Sequence, residues 1–269
     1  MRELHFEERN KLASFFQNPT SGIVKAAFYQ NIGKAWIKEE ENKPCGILLI
    51  GNTCYYGGHC VEENAAEFIM EQFIKERMAI GDIIPQDCSA LPYFDEFFRS
   101  QKDAYPCSMK KTERHLMDID LDRLDHSRLR TFLNEIPPNY ELQPISHLLF
   151  DRAREDQYLN NFIRLFPDYK DFGKNGFGFF LLEGKEIVAG ISSYARYKDG
   201  VEVQIAVSPK HRGKHLASSL GAAFLLECQK RKLYPWWDCA NPTSEHIATE
   251  LGYVLKQVTP IYRCMFTLS

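Results

Sequence analysis

The stretch VEVQIAVSPKHRGKHLASSLGAAFLL, Val201–Leu226, changes its side-chain period once, and that change decides the fold. Val201, Val203, Ile205 and Val207 alternate with Glu202, Gln204 and Ala206, which is the period of a half-buried strand. Ser208-Pro209 ends it. Beyond His211-Arg212-Gly213-Lys214, residues Leu216, Leu220, Ala223, Phe224 and Glu227 recur at helical spacing, and Lys230, Arg231 and Lys232 close the helix where its dipole favours cations. A short basic loop therefore opens a helix. Free N–H groups at such a start, joined by Arg212, Lys214, His211 and His215, make an anion site suited to phosphates. Basic strand-to-helix turns are also common in α/β proteins without that ligand, so the following residues decide between the readings.

A second apolar strand, Leu233–Cys239 (LYPWWDC), is followed by the helix-initiating cluster Asn241-Pro242-Thr243-Ser244, then by EHIATELGY with Gly252 as the stop. This ordered pattern resembles the GNAT superfamily of acyl-CoA-dependent N-acyltransferases. The family's loop, Gln/Arg-x-x-Gly-x-Gly/Ala, is matched at its ends by Arg212 and Ala217, whereas its middle glycine is His215 here. With KRKLYPWWDCAN the likeness extends to the bacterial subgroup that includes zwittermicin A resistance proteins, which carry an additional N-terminal domain. The strong match covers Val201–Tyr253 and a looser one reaches back to about Pro138. What the resemblance implies is an α/β (α+β) fold: a mixed, mostly antiparallel sheet flanked by helices, in which two parallel strands splay and admit acetyl-CoA. It also implies a cofactor site on Ile205, Ala206 and Val207, on the loop Arg212, Gly213, Lys214, His215, Leu216 and Ala217, and on Asn241 and Ser244. For Asn241 the residues alone equally support a helix cap.

Acetyl transfer to an amine needs a neutral nucleophile, a polarised thioester carbonyl and a proton for the departing thiolate. Glu202 and Gln204 share the strand face opposite Val201 and Val203, a position from which they hold a water that relays the amine proton. From the residues alone Glu202 is as well a solvated strand carboxylate; the resemblance makes it the candidate base. A backbone N–H at Ala206 or Val207 is the candidate donor to the carbonyl. Many family members place the acid, a tyrosine, where this chain has Ala248, which leaves Tyr194 as a candidate beside Tyr197, Tyr234 and His215. Trp236-Trp237-Asp238 carries aromatics and a carboxylate beside the cleft, as a cationic amine acceptor or a strand core would require. The expected acceptor is an amine-bearing small molecule. The other reading is an acyl-CoA-binding module that kept the fold and lost turnover.

Composition fits this without selecting it. The chain has 269 residues and a net charge of −3, which gives no reason to expect nucleic acid or an anionic membrane as partner. The longest aliphatic run, Ile47–Ile50, is too short to cross a bilayer, and MRELHFEERNKL is too charged for a signal peptide, so a cytoplasmic protein is expected. A homodimer is compatible with that. Eight cysteines form no C-x-x-C pair and read as reduced core residues; Cys54, His59 and Cys60 lack a second cluster, so no metal is expected.

Two domains are expected, a smaller N-terminal α/β domain over 1–136 and the acetyltransferase domain over 137–269, parted near Pro137-Pro138. In the first, Glu3–Phe16 and Glu62–Met78 have helical patterns and Ile47–Gly51 reads as a central strand. Asn52–Gly58 reads as a turn presenting Tyr55 and Tyr56, because Gly57-Gly58 lacks the spacing of a phosphate cradle. Arg114–Ile119 alternates like a strand and Asp122–Leu133 has helical period. In the second domain Tyr140–His147, Gly176–Glu183 and Glu186–Arg196 read as strands, and Asp151–Phe166 as one or two helices. No internal repeat appears.

Overall fold

The structure is a computed structural model and describes residues 1–17, 21–39, 44–58, 63–101 and 104–267. Its two compact units interleave along the chain and do not meet at Pro137-Pro138: Met1–Thr20, Ala27–Arg114 and Val258–Ser269 form one, Ser21–Ala26 and His115–Gln257 the other.

The first unit is built on β1 (Arg2–Glu3), β2 (Lys34–Lys38), β3 (Cys45–Ile50), β4 (Thr53–Gly57) and β5 (Ile80–Pro85), with helices α2 (Glu63–Lys75) and α3 (Leu91–Ser100); α1 (Gly22–Tyr29) is divided between the units. All six residues of β3, CGILLI, are buried, as expected of a strand covered on both faces. Asn52–Gly58 is not a free turn. Gly51, at φ +63°, reverses the chain after β3, and the β-forming run Thr53-Cys54-Tyr55-Tyr56 then pairs straight back along it. Ala66, Ile69, Met70 and Phe73 form the helical stripe that closes this core with Tyr56, Phe94 and Tyr262. Arg263, on the last strand, pairs with the buried carboxylate of Asp82 on β5 at 2.7 Å. Sheet order is β1-β2-β3-β4-β5-β12, where β12 is Val254–Phe266, and among the described residues β4–β5 is its one parallel pair.

The second unit has strands β6 (Cys107–Asp118, its last residues), β7 (Tyr140–Pro144), β8 (Gly178–Glu183), β9 (Glu186–Tyr197), β10 (Gly200–Val207) and β11 (Tyr234–Cys239). Its helices are α4 (His126–Asn134), α5 (His147–Glu155), α6 (Tyr169–Asn175), α7 (Leu216–Arg231) and α8 (Pro242–Glu250). β7 ends at Pro144, and His147, expected in the strand, opens α5 behind the Ser146 cap. The order is β6-β11-β10-β9-β8-β7, mostly antiparallel with β10–β11 parallel. One side of the sheet is covered by α7, whose Leu216, Leu220 and Phe224 meet Val201, Val203, Ile205 and Val207. On the other, Phe150, Phe162, Phe166 and Phe172 pack with Phe180, and Ala206 joins them. Both sheets run through the same series of pairings, three antiparallel, one parallel, one antiparallel. That repetition left no trace in the sequence.

β1, β5, α3, α6 and β12 have no counterpart among the sequence expectations. Five of the described cysteines are buried, but Cys88 is exposed and Cys107 half-buried, so those two are not core residues. No helix among the described residues is long and apolar enough to cross a membrane.

Candidate functional site

Two strands that begin together and then part create the opening of the second unit. β10 and β11 are in parallel register only over Gly200–Glu202 and Tyr234–Trp236. Trp237, Asp238 and Cys239 then pair with Met117, Leu116 and His115 of β6, while Val203–Val207 stay with β9. The register shift that leaves Tyr194 as an extra residue opposite Glu202/Val203 lies where they separate, and such a bulge bends and twists the pair. The first unit's parallel pair behaves differently, being zipped from Thr53↔Asp82 to Tyr56↔Pro85.

Hydrogen-bond alternation decides which amides face the opening. Ser208 N–H donates to Val188 O at 2.8 Å, so Gln204 and Ala206 also turn their amides into the β9 ladder, and Ile205 and Val207 turn theirs to the open edge. The Val207 carbonyl accepts from Arg212 Nε at 3.3 Å, which fixes that side chain beside the edge while leaving it exposed.

The loop then enters α7 through two left-handed residues, Gly213 at φ +75° and His215 at φ +55°. His215 thus adopts the backbone conformation that glycine supplies without strain. Its exposed side chain makes no capping bond, so the amides of the first turn of this 16-residue helix have no side-chain cap. Lys214 bends away from that turn: its ammonium donates to Tyr140 Oη at 2.6 Å, which raises its pKa. The Tyr140 hydroxyl, accepting from a group that only donates, has its own proton for Nδ1 of buried His211 at 3.1 Å. Leu216 is 2% exposed, so its side chain serves the core and only its backbone is offered; Ala217 is half-buried.

Glu202 and Gln204 occupy the strand face away from α7. Glu202 is only 7% exposed, with Ser21 Oγ donating to Oε1 at 3.4 Å, so it is not a solvated carboxylate. Gly22 lies against it closely enough that a Cβ there would sit 2.8 Å from Glu202 Oε2 and from Trp236. Tyr194 Oη accepts from Arg164 Nε at 2.7 Å, and burial raises its pKa, keeping the phenol protonated at neutral pH. Burial likewise pushes Tyr197 and Tyr234 up.

The WWD run divides by strand alternation. Trp237 turns into the α7–α8 core and donates to Ser244 Oγ at 3.0 Å, while Trp236 lies beside Glu202 with Lys25 Nζ 4.6 Å from its ring centre. Asn241 caps α8 by accepting Ser244 N–H at 3.0 Å. Ala248 is fully buried against Ala222 and Leu225, and Tyr253 donates to Pro235 O, so neither presents a hydroxyl to the opening.

Catalytic candidates Glu202 and Tyr194 therefore lie close together where β10 and β11 part, with Gln204 two residues along the same strand face, and the backbone of Ile205 and Val207 leads from there to the loop Arg212–Ala217. Ser21, just before α1, Gly22 and Lys25 within it, and Arg164, in the turn before α6, join that neighbourhood with no local sequence signal, because chain separation hides them. A cavity of about 390 Å³ lined by Asp118, Arg123, Asp125, Arg128 and Leu251 is separate from these residues. Cys54 is buried in β4, His59 and Cys60 fall outside the described residues, and among the described residues no three potential metal ligands cluster.

The family model for GNAT acetyltransferase matches residues 13–262. A Bacillus subtilis (strain 168) protein described as uncharacterized N-acetyltransferase YdfB is 30% identical over 118 residues, which cover 43% of this chain and 42% of that protein. The chain thus spans under half the length of this curated relative. A GCN5-related N-acetyltransferase-like protein from Streptococcus suis 89/1591 shares the fold with a TM-score of 0.79 at 21% identity, over 96% of this chain and 98% of that one. A tandem GNAT protein from the clavulanic acid biosynthesis pathway aligns with a TM-score of 0.50 at 13% identity, over 99% and 98%.

Proposed function

Because this chain belongs to the GNAT acetyltransferase family, we propose that it moves the acetyl group of acetyl-CoA to a primary amine of a small molecule, in the cytoplasm, by direct attack in a ternary complex. The observation that carries this reading is the open edge of β10 running into the uncapped start of α7, with Glu202 on the strand's other face. The donor set fits the cosubstrate: Arg212 and the first-turn amides of α7 suit a pyrophosphate, and the amides of Ile205 and Val207 suit the thioester oxygen and the amide-bearing arm. Acetyl-CoA supplies the activated acyl group. Glu202 takes the amine proton through water held with Gln204, a carbon–nitrogen bond forms as the carbon–sulfur bond breaks, and the thiolate leaves as CoA thiol after receiving a proton. Tyr194, protonated and held by Arg164, is the candidate donor of that proton. Asn241 and Ser244, already engaged in capping α8, position its N-terminus. The likeness to the subgroup with zwittermicin A resistance proteins supports a small-molecule acceptor.

The test measures CoA thiol release across a panel of amines, with acetyl-CoA binding followed by calorimetry. Glu202→Gln is expected to lower kcat by about a hundredfold or more and to change the pH–rate profile while leaving acetyl-CoA affinity close to wild type. Arg212→Ala is expected to weaken acetyl-CoA about tenfold. An unchanged pH–rate profile in the first variant refutes the base assignment. The burial of Glu202 beneath Ser21–Gly22 and the Cβ at position 215 favour a second reading, an acyl-CoA-binding module without turnover; binding with no thiol release from any amine would select it.

A further inference from the structure

We infer that the acceptor carries a carboxylate beside its amine, received by Lys25, Trp236 and Tyr197; this inference rests on the acetyl-transfer reading and narrows its substrate class. Lys25 Nζ stands 4.6 Å from the Trp236 ring centre and 5.5 Å from that of Tyr197, and the two rings meet edge to face. An ammonium over an aromatic pair is the arrangement a cationic ligand would use. Here the chain's own lysine takes that place, so the aromatics do not select a simple cationic amine, which Lys25 would repel.

The polar groups around this pair point to an anion. Trp236 Nε1 and Tyr197 Oη are buried with no hydrogen-bond partner among the described residues, and buried polar groups in folded proteins are normally satisfied. An indole N–H, a phenol O–H and an ammonium are all donors, and a carboxylate is the group that only accepts. Lys25 is exposed, so its ammonium is the group an incoming ligand meets. The second cation near the indole, Lys256 at 5.9 Å, is engaged by Asp118 at 3.5 Å, which leaves Lys25 as the charge available to the ligand. Trp236 is the direct register partner of Glu202. A ligand whose carboxylate meets Lys25 therefore has its neighbouring amine at the base. An α-amino acid, or a small molecule ending in one, has that spacing.

The test compares phenylalanine with 2-phenylethylamine and leucine with isoamylamine, pairs that differ by the carboxylate alone. Thiol release gives kcat/KM for each. Binding is read separately, from tryptophan fluorescence on titrating the same compounds with CoA present, and thermal scans check that each variant is folded. Both readouts are expected to favour the amino acids by about five- to tenfold, the range for an exposed charge contact with added hydrogen bonds. Lys25→Met should bring that ratio close to one, and Lys25→Arg should retain most of it. A wild-type preference for the decarboxylated amines, or a carboxylate preference that survives Lys25→Met, would overturn the inference. Carboxylate-selective binding without thiol release from any compound would support the subsite while counting against acetyl transfer. Equal binding and equal turnover of both members of each pair would leave acetyl transfer standing and remove the subsite.

Discussion

Replacing His215 with glycine should stabilise the protein, and the size of the gain follows from one dihedral angle. His215 has φ +55° and ψ +15° at the N-cap of α7. A side chain bearing a Cβ costs about 1–2 kcal/mol in that region, whereas glycine enters it freely but loses about 0.5–1 kcal/mol through the freedom of the unfolded chain. The exposed imidazole makes no capping bond, so its removal forfeits little. The balance is a stabilisation of about 0.5–1 kcal/mol, which corresponds to a rise in Tm of about 1–4 °C for a protein of this size. His215→Ala, which keeps the Cβ, should remain within a degree of wild type, and His215→Val should lose about 1 kcal/mol because a branched Cβ tolerates this region worst. Thermal scans of the four proteins under one condition give the ordering. If alanine reproduced the full gain of glycine, the cause would be the bulk of the imidazole and the backbone argument would fail. If glycine lowered Tm, the left-handed conformation itself would be refuted.

Other consequences reach further into the second unit. A Cβ at Gly221 would overlap Leu251 Cδ1 where α7 meets α8, so Gly221→Ala should cost about 1–3 kcal/mol in chemical denaturation, and adding Leu251→Ala should recover part of that loss. Asp118 accepts from Tyr234 Oη at 2.5 Å, and that bond is the main reason its pKa is lowered. A depressed carboxylate pKa adds stability above the unfolded value, about 4, and that stability is lost as pH falls through the lower folded value. Tyr234→Phe should therefore be the less stable protein above pH 5, by less than about 1 kcal/mol at this partly exposed site, and the gap in Tm should narrow towards pH 2.5. A gap constant across that range would exclude the linkage.

Local signals carried a large part of the second unit. Alternation in Val201–Val207 and the switch to helical spacing at Leu216 each depend on neighbours a few residues apart, and each appears in the structure as an element. Asn52–Gly58 looks like a turn in sequence, and its Thr53–Gly57 forms β4 in the structure, for a related reason. Two glycines in one turn dominate a local reading, while the pairing of Thr53–Tyr56 with both β3 and β5 is settled by partners that no local window contains.

The site divides along the same line. Which residues are chemically able to act, Glu202, Arg212 and the amides entering α7, was decided by the chain itself, through residue type, strand parity and the loop that opens a helix. Tertiary structure alone decided where β10 and β11 part, that Ile205 and Val207 keep their amides at the open edge, that His215 takes a left-handed backbone, and that Lys25 reaches Trp236 across more than two hundred residues of sequence. Side-chain parity and helix period are properties of a few consecutive residues. Strand divergence, the repeated order of pairings in the two units and a lysine covering a distant indole come from the packing of segments whose separation in sequence carries no record of their contact.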